Sequence, residues 1–426
     1  MSTRKRRVVV TGIGVCAPGA LSADALHDLL LSNGNAIEHF PELQELNFGC
    51  QLGAKPAYQE EMLAPYFDKL WQRGLKSAGM VYAVLSGMEA WKNAGLEARP
   101  EQRDPQAGMV FGAGVLGVDK LYEAFAQVDQ GNVRRLGSTT VLQTMTSGAS
   151  AYLAGLLGCG NRISANSSAC STGTEAVILG ADWIKQGKAK RMLVGSTSEG
   201  GPYVWGGFDA MRVLPRSFND KVDQASRPMS ATAAGFVPSC GAGALVLEDL
   251  DTATERGATI YAEYLSGSLN AGGQREGGSL TAPNPKAVRD CIRETINKSG
   301  LNASEINAIN GHLTATKGDV AEIAAWTEVF AEQQANLPPI NSFKGHLGHA
   351  LAASGSIELV ACVNQLKHQV IYGNRNCVDL HPEIAEMAGD RVLQTSRYQS
   401  LEAIIKASFG FGDVNASVIF KKWSMD

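Results

Sequence analysis

Four short stretches of the chain place reactive side chains beside small-residue turns. In the first, SSACSTGT (167–174), Cys170 stands between a β-branched run and a small-residue helix start. A cysteine just ahead of a helix meets unpaired amides and the positive end of the helix dipole, which favour a thiolate. The same amides suit an oxyanion formed on a bound thioester. Taken alone, this setting fits a nucleophile and a buried inert thiol equally, because cysteine is among the most buried residue types. The second stretch, NGHLTATKGD (310–319), puts His312 directly after the strand-like INAIN, with the hydroxyls of Thr314 and Thr316 on one side. The third, SFKGHLGHALAASG (342–355), brings Lys344, His346 and His349 to the mouth of an apolar helix. The fourth, SFGFGDVNAS (408–417), flanks Phe411 with glycines, so its backbone can approach a ligand. A lone strand-end histidine is usually structural. Two histidine turns together with a helix-start cysteine point to nucleophilic catalysis.

The elements that must position these groups alternate in type. Runs at 7–11, 108–112, 162–165, 191–195, 244–248, 258–262, 306–310, 339–342, 403–408 and 416–420 read as strands. Helical patterns separate several of them, at 174–186, 286–298, 320–330 and 350–368. Such alternation predicts an α/β architecture with largely parallel sheets. Two helices, AVILGADWI (176–184) and ALAASGSIELVACV (350–363), are apolar on nearly all sides and are expected to be buried. Each follows a strand and a polar turn, one in each half of the chain. The chain therefore reads as two related halves, 1–256 and 257–426, with the break in the charged segment 251–257. Glu358 falls in the middle of the second buried helix. A buried carboxylate must meet a cation or several donors.

Composition narrows the function classes. The chain has 426 residues, 44% apolar and 19% charged, enough for a substantial core. A net charge of −4 gives no basic field for nucleic acid or anionic lipid, although Arg4, Lys5, Arg6 and Arg7 cluster at the start. No run approaches the roughly eighteen apolar residues of a membrane span. The start imitates a secretion signal, but Thr11, Gly12, Gly14 and Pro18 interrupt it and Val8 to Val10 read better as a strand. Eight cysteines without a C-x-x-C pair fit neither a zinc site nor a disulfide scaffold, and a cytoplasmic location is expected. GIGVCA (12–17) matches a dinucleotide fingerprint, yet Pro18 and Gly19 break the helix that should follow. His346 and His349 lack a third ligand of metal-site spacing, so no metal is expected.

In combination, VVVTGIGVCAPG at the start, ACSTG, KGHLGHALAASG and the closing SFGF-G-VN resemble the elongating β-ketoacyl-acyl-carrier-protein synthases, the condensing enzymes of fatty-acid and polyketide synthesis. The resemblance runs nearly end to end. It implies the thiolase-like fold, two similar α/β halves in five αβαβα layers, and usually a dimer. It implies that Cys170 is the nucleophile, that His312 and His349 complete a Cys-His-His set, and that Lys344 is the active-site lysine. By the same resemblance Phe411 is the gating aromatic whose amide joins that of Cys170 in the oxyanion hole. Thr314 and Thr316 hold the carrier's phosphopantetheine, and Glu322 and Glu358 are buried acidic partners, the latter of Lys344. Val115, Trp205 and Phe208 are candidates for the acyl pocket or for core packing. The implied reaction is decarboxylative condensation of an acyl thioester with malonyl-carrier. No cofactor is bound by the enzyme, the partner is acyl carrier protein, and the assembly is a homodimer or a heterodimer with a ketosynthase-like subunit. The alternatives are a subunit of a ketosynthase/chain-length-factor pair and a non-elongating acyltransferase of the same fold. Three departures stand out: Leu313 follows His312, Asp413 and Val414 sit on the gating loop, and Met229-Ser230-Ala231-Thr232 follows Arg227-Pro228.

Overall fold

In the computed structural model, which describes residues 6–424, VVVTGIGVC forms β1 (Val8–Cys16), buried along its whole length. Met1 to Lys5, and with them part of the basic run, lie outside the described residues. Gly12 and Gly14 sit in mid-strand. A Cβ on Gly12 would lie 2.2 Å from the Ala90 carbonyl oxygen, and one on Gly14 2.1 Å from that of Ser86. Both glycines therefore let α1 (Ala78–Asn93) lie directly on β1. The fingerprint-like glycines serve helix–strand contact inside a strand, not a phosphate at a turn.

Ten strands form the main sheet. The first half supplies β1, β2 (Ala107–Ala113), β3 (Ile163–Ser164), β4 (Arg191–Ser198) and β5 (Gly241–Asp249). The second supplies β6 (Ala262–Ala271), β7 (Ala308–Asn310), β8 (Ile340–Asn341), β9 (Ala403–Gly410) and β10 (Val414–Lys422). The order is β8-β7-β9-β10-β6-β1-β5-β4-β2-β3. Read outward from the β1/β6 junction, each half runs first, fifth, fourth, second, third strand, so the halves share one topology. The junction itself is short: Val8 pairs with Tyr264, Val9 with Glu263 and Val10 with Ala262.

The expectation of largely parallel sheets is corrected. Pairing is parallel only at the outer ends, β3/β2/β4 and β8/β7/β9. From β4 through β5, β1, β6 and β10 to β9 it is antiparallel. β9 and β10 are joined by Phe411, Gly412 and Asp413 alone, and so short a link permits only a hairpin. The strand expected at 258–262 is instead β6, beginning at Ala262. Its serines hid it: Ser266 donates to the Thr295 carbonyl and Ser268 to Glu294, so a buried strand reads as polar. The helix expected over 350–368 starts only at Ser354, after a 3₁₀ turn at Leu351–Ala353 in which Leu351 takes φ +51°.

Five layers result. α1 and α2 (Gly148–Leu157) cover the first half-sheet from outside. α3 (Thr172–Lys185) packs on β4 and reaches β6 and β10 of the other half. α4 (Pro285–Ser299) and α5 (Gly318–Glu332) cover the second half-sheet. α6 (Ser354–His368) joins α3 in the middle layer, between β9 and β5. The two central helices touch through glycine. A Cβ on Gly173 would stand 2.3 Å from the Ser356 nitrogen, and one on Gly355 2.7 Å from the Thr174 nitrogen. Both neighbours are backbone and cannot step aside. Gly355→Ala is therefore expected to cost about 1–3 kcal/mol through overpacking, measured as a lower urea midpoint at unchanged m-value.

Candidate active site

Cys170 lies just ahead of α3, whose first helical residue is Thr172 and whose N-cap is Ser171. The turn is strained, since Ala169 takes φ +49°. The Ser171 hydroxyl sits 3.0 Å from the Ser408 carbonyl and 2.9 Å from that of Val414, sharing its one proton between them, which ties the β9–β10 hairpin to the cysteine turn. Gly410 permits the approach: a Cβ there would be 3.1 Å from the Cys170 nitrogen. The backbone amides of Phe411 and of Cys170 itself favour the charged sulfur electrostatically. Burial nevertheless pushes the thiol up to about 11, with Lys344 and the two amides pulling the other way. The thiolate expected from the helix start is therefore not the resting form. Desolvation wins until an anion-stabilising partner engages.

That partner is adjacent. His349 Nε2 is 3.1 Å from Cys170 Sγ. On the opposite side of the ring, Nδ1 meets the Ser354 hydroxyl at 2.7 Å and receives the Leu351 amide at 3.2 Å. An amide nitrogen can only donate, so Nδ1 is the acceptor and Nε2 carries the ring proton. Burial, then the Lys344 and Lys406 cations, hold His349 well below the usual imidazole range, so it donates as a neutral ring. His312 stands edge-on to it, centroids 5.3 Å apart at 82°, and is depressed by burial, Lys344, His349 and Lys406. Its Nδ1 is shielded from water without a protein partner. One ligating atom each of Cys170, His312 and His349 lies within 4.8 Å of the others. His346 does not join them. Its ring nitrogens face the Gly34 and Gly373 carbonyls at 2.9 and 3.2 Å, which removes the paired-histidine metal reading.

Two carboxylates shape the loop that carries His312. Glu322 accepts the His312 amide (2.6 Å), the Leu313 amide (2.7 Å) and the Trp326 indole (3.2 Å). Burial pushes it up to about 7 in spite of these donors. Asp319 accepts the amides of Thr314 (2.8 Å), Ala315 (3.0 Å) and Met229 (2.8 Å). Burial raises its pKa as well, and the amides oppose the rise. The loop is left-handed at Leu313 (φ +24°) and Ala315 (φ +63°). Leu313 holds this backbone with its side chain in the core (1% exposed). The Thr314 and Thr316 hydroxyls are 3.0 Å apart, both partly exposed.

Lys344 pairs with Glu358 Oε1, as its position in the buried helix requires. Sequence reasoning missed Lys406, which reaches Oε2 of the same carboxylate at 2.7 Å from β9. A lysine inside the apolar run AIIKASF was the available signal. Also missed were Ser354 and Phe236, the latter edge-on to His349 at 5.0 Å. Phe208 packs against Phe236 (5.5 Å) and Phe411 (6.2 Å). Trp205 is fully buried against Phe40, while Val115 is 46% exposed. The acid on the hairpin has a structural partner: Asp413 accepts the amides of Gln274 (2.9 Å) and Asn284 (2.8 Å) from its own left-handed position.

A cysteine and two histidines held neutral by burial gather around one small space, an arrangement suited to acyl transfer through a thioester. Comparison with known proteins agrees. Residues 5–253 match the N-terminal domain of β-ketoacyl synthases and residues 261–378 the C-terminal domain, and the chain belongs to that family. It is 32% identical to the chloroplastic 3-oxoacyl-[acyl-carrier-protein] synthase I of Arabidopsis thaliana, over 98% of this chain and 86% of that one. It is 31% identical to a putative polyketide β-ketoacyl synthase 1 of Streptomyces halstedii, over 97% of each. A crystal structure of a β-ketoacyl synthase from Burkholderia phymatum superposes with a TM-score of 0.89 at 27% identity, covering 98% of this chain and all of that one. The chain is thus an acyl-transferring, carbon–carbon bond-forming enzyme of thiolase-like fold. Among the described residues no helix is long and apolar enough to cross a membrane. Asp413→Ala would strip two amides of their shared acceptor. A cost of about 1–3 kcal/mol is expected for the buried Asn284 amide left unpaired, the exposed Gln274 amide turning to water, read as a lower melting temperature.

Proposed function

We propose that the protein joins an acyl group held on Cys170 to the two-carbon unit of malonyl-acyl-carrier protein. The observation that carries this reading is the protonated His349 Nε2 at 3.1 Å from Cys170 Sγ, with a ring nitrogen of His312 beside both. The Cys170 sulfur attacks the acyl-carrier thioester, the C–S bond to the carrier breaks, the proton lost by Cys170 ends on the departing carrier thiol, and an acyl-enzyme remains. The tetrahedral oxyanion suits the amides of Cys170 and Phe411. Lys344 steadies the sulfur as it gains charge. Malonyl-carrier then enters. As its carboxylate leaves as carbon dioxide, the C–C bonding pair passes into an enolate on the thioester. Two neutral N–H donors favour that charge more in the transition state than in the ground state. The enolate carbon attacks the acyl carbonyl, Cys170 departs as thiolate, and a 3-oxoacyl-carrier two carbons longer is released.

The finer assignments follow the same reading. Thr314 and Thr316 offer hydroxyls to phosphopantetheine, and Glu322 holds the His312 loop. Phe208 and Trp205 line or back the acyl space. Val115 joins that space only if a second subunit covers it. Residues 1–256 and 257–426 act as the two halves around the shared helical layer. The enzyme itself binds no cofactor or metal. Its partners are acyl carrier protein and a second ketosynthase-like chain, the same or different. Tyr122, Phe125, Val128, Val133 and Val141, each about half exposed or more, give that chain an apolar surface. Eight unpaired cysteines fit a reducing compartment such as the cytoplasm.

Incubation with malonyl-carrier and a panel of acyl-carriers, followed by mass measurement of Cys170 peptides and products, tests the whole reading. Cys170→Ala is expected to abolish acyl transfer while retaining decarboxylation of malonyl-carrier; full condensation by this variant refutes the assignment. His312→Ala and His349→Ala should each slow decarboxylation by about 100-fold or more, the usual loss of one oxyanion donor, with Cys170 still acylated. Light scattering of the purified chain distinguishes a homodimer, the expected species, from a monomer that needs a different partner.

A further inference from the structure

Lys406 is the residue on β9 that the apolar pattern does not explain. It is 1% exposed, between Ile405 and Ala407, where a cation is costly unless fully paired. Its ammonium reaches Glu358 Oε2 at 2.7 Å and the Ala407 carbonyl. Both groups only accept, so Lys406 must donate to each. Glu358 Oε1 is taken by Lys344. One buried carboxylate therefore serves two buried ammonium groups. The other titratable groups facing this cluster are Cys170, Cys362, His312 and His349. The thiols are pushed up and the imidazoles down, chiefly by burial, so none of them balances the extra charge at rest. Burial, then Lys344, lower the Lys406 pKa, and Glu358, which the ammonium contacts directly, opposes the fall. With Lys406 protonated, the cluster of Lys344, Lys406 and Glu358 holds one more cation than anion.

We propose that Lys406 is a positioning residue that gives the site a surplus positive charge and, by occupying Oε2, keeps Lys344 on Oε1 beside Cys170. Three species along the proposed reaction carry negative charge near the sulfur: the Cys170 thiolate, the malonyl carboxylate and the enolate. With a single lysine, Glu358 would neutralise the pair and leave only dipoles to meet these charges. With two, an uncompensated cation acts through a water-poor interior, where its field is screened little. Lys344 and Glu358 both act on the Cys170 sulfur, so thiolate formation reports that field.

This inference rests on Cys170 being the nucleophile, but its test needs neither carrier nor condensation. The rate of Cys170 alkylation by iodoacetamide is followed from pH 6 to 11 through the mass of the Cys170 peptide, in wild type and in Lys406→Met. Thiolate increases as pH rises, and loss of a nearby cation raises the thiol pKa, so the profile must move to higher pH. A shift of about one unit is expected, a tenfold slower alkylation at any pH below the midpoint. A merely structural Lys406 would lower the melting temperature and leave the profile in place; a folded Lys406→Met with the wild-type profile overturns the proposal. Should that variant fail to fold, Lys406→Gln keeps a donor toward Oε2 while removing the charge, and its profile must shift likewise. Failure of wild type to condense any acyl chain would count against the proposed reaction and leave the alkylation result standing.

Discussion

From Ser354 to Leu366 every residue of α6 is buried, and Glu358 lies in the middle of that segment. A lone carboxylate there would cost several kcal/mol, so the helix can occupy the middle layer only with Glu358 paired. The two lysines that pair it come from different elements. Lys344 begins the short helical turn that precedes His349, and Lys406 lies on β9, five residues before Phe411. The ion cluster thereby fixes how α6 is rotated, where the His349 turn sits, and how the β9–β10 hairpin approaches the cysteine. Cys170 belongs to the other half, bound to this assembly through Ser171 and the Gly173–Gly355 crossing.

Around this centre the backbone is held where most side chains resist. Ala169, Leu313, Ala315 and Asp413 all have positive φ. Such positions cost on the order of 1–3 kcal/mol each and persist only where surroundings over-determine them. The surroundings here are identifiable. Glu322 and Asp319 gather the amides of the His312 loop, and Asp413 gathers those of Gln274 and Asn284. Leu313 stays because its side chain fills the core beneath, which a glycine would leave empty.

Much of this was legible in sequence, for physical reasons that can be named. A helix apolar all round must be central, which located α3 and α6, and a carboxylate inside one had to meet a cation. Small-residue turns bearing Cys170, His312 and His349 marked the candidate site, and the structure brings those three side chains together. Strand direction was not legible: periodicity records which faces are buried and not which way a neighbour runs, so the antiparallel centre of the sheet went unseen. Lys406 was overlooked because one lysine in a strand usually marks an edge, and only tertiary contact shows that its partner is Glu358. The tautomer of His349 depends on the Leu351 amide, a backbone contact with no side-chain signature.

The electrostatic design follows from that last contact and from the buried lysines together. An imidazolium would donate more strongly than a neutral ring, but two of them beside Lys344 and Lys406 would crowd four cations around one carboxylate. Burial and the lysines instead keep both rings neutral, and the Leu351 amide turns the His349 proton toward the sulfur. Directional hydrogen bonding and net charge are thus assigned to separate residues. In the proposed reaction the histidines supply donors where an enolate or thiolate forms, and the lysines supply the field. Because the rings need not gain or lose a proton to donate, their geometry can stay constant through the proposed reaction, as negative charge moves from sulfur to enolate and back.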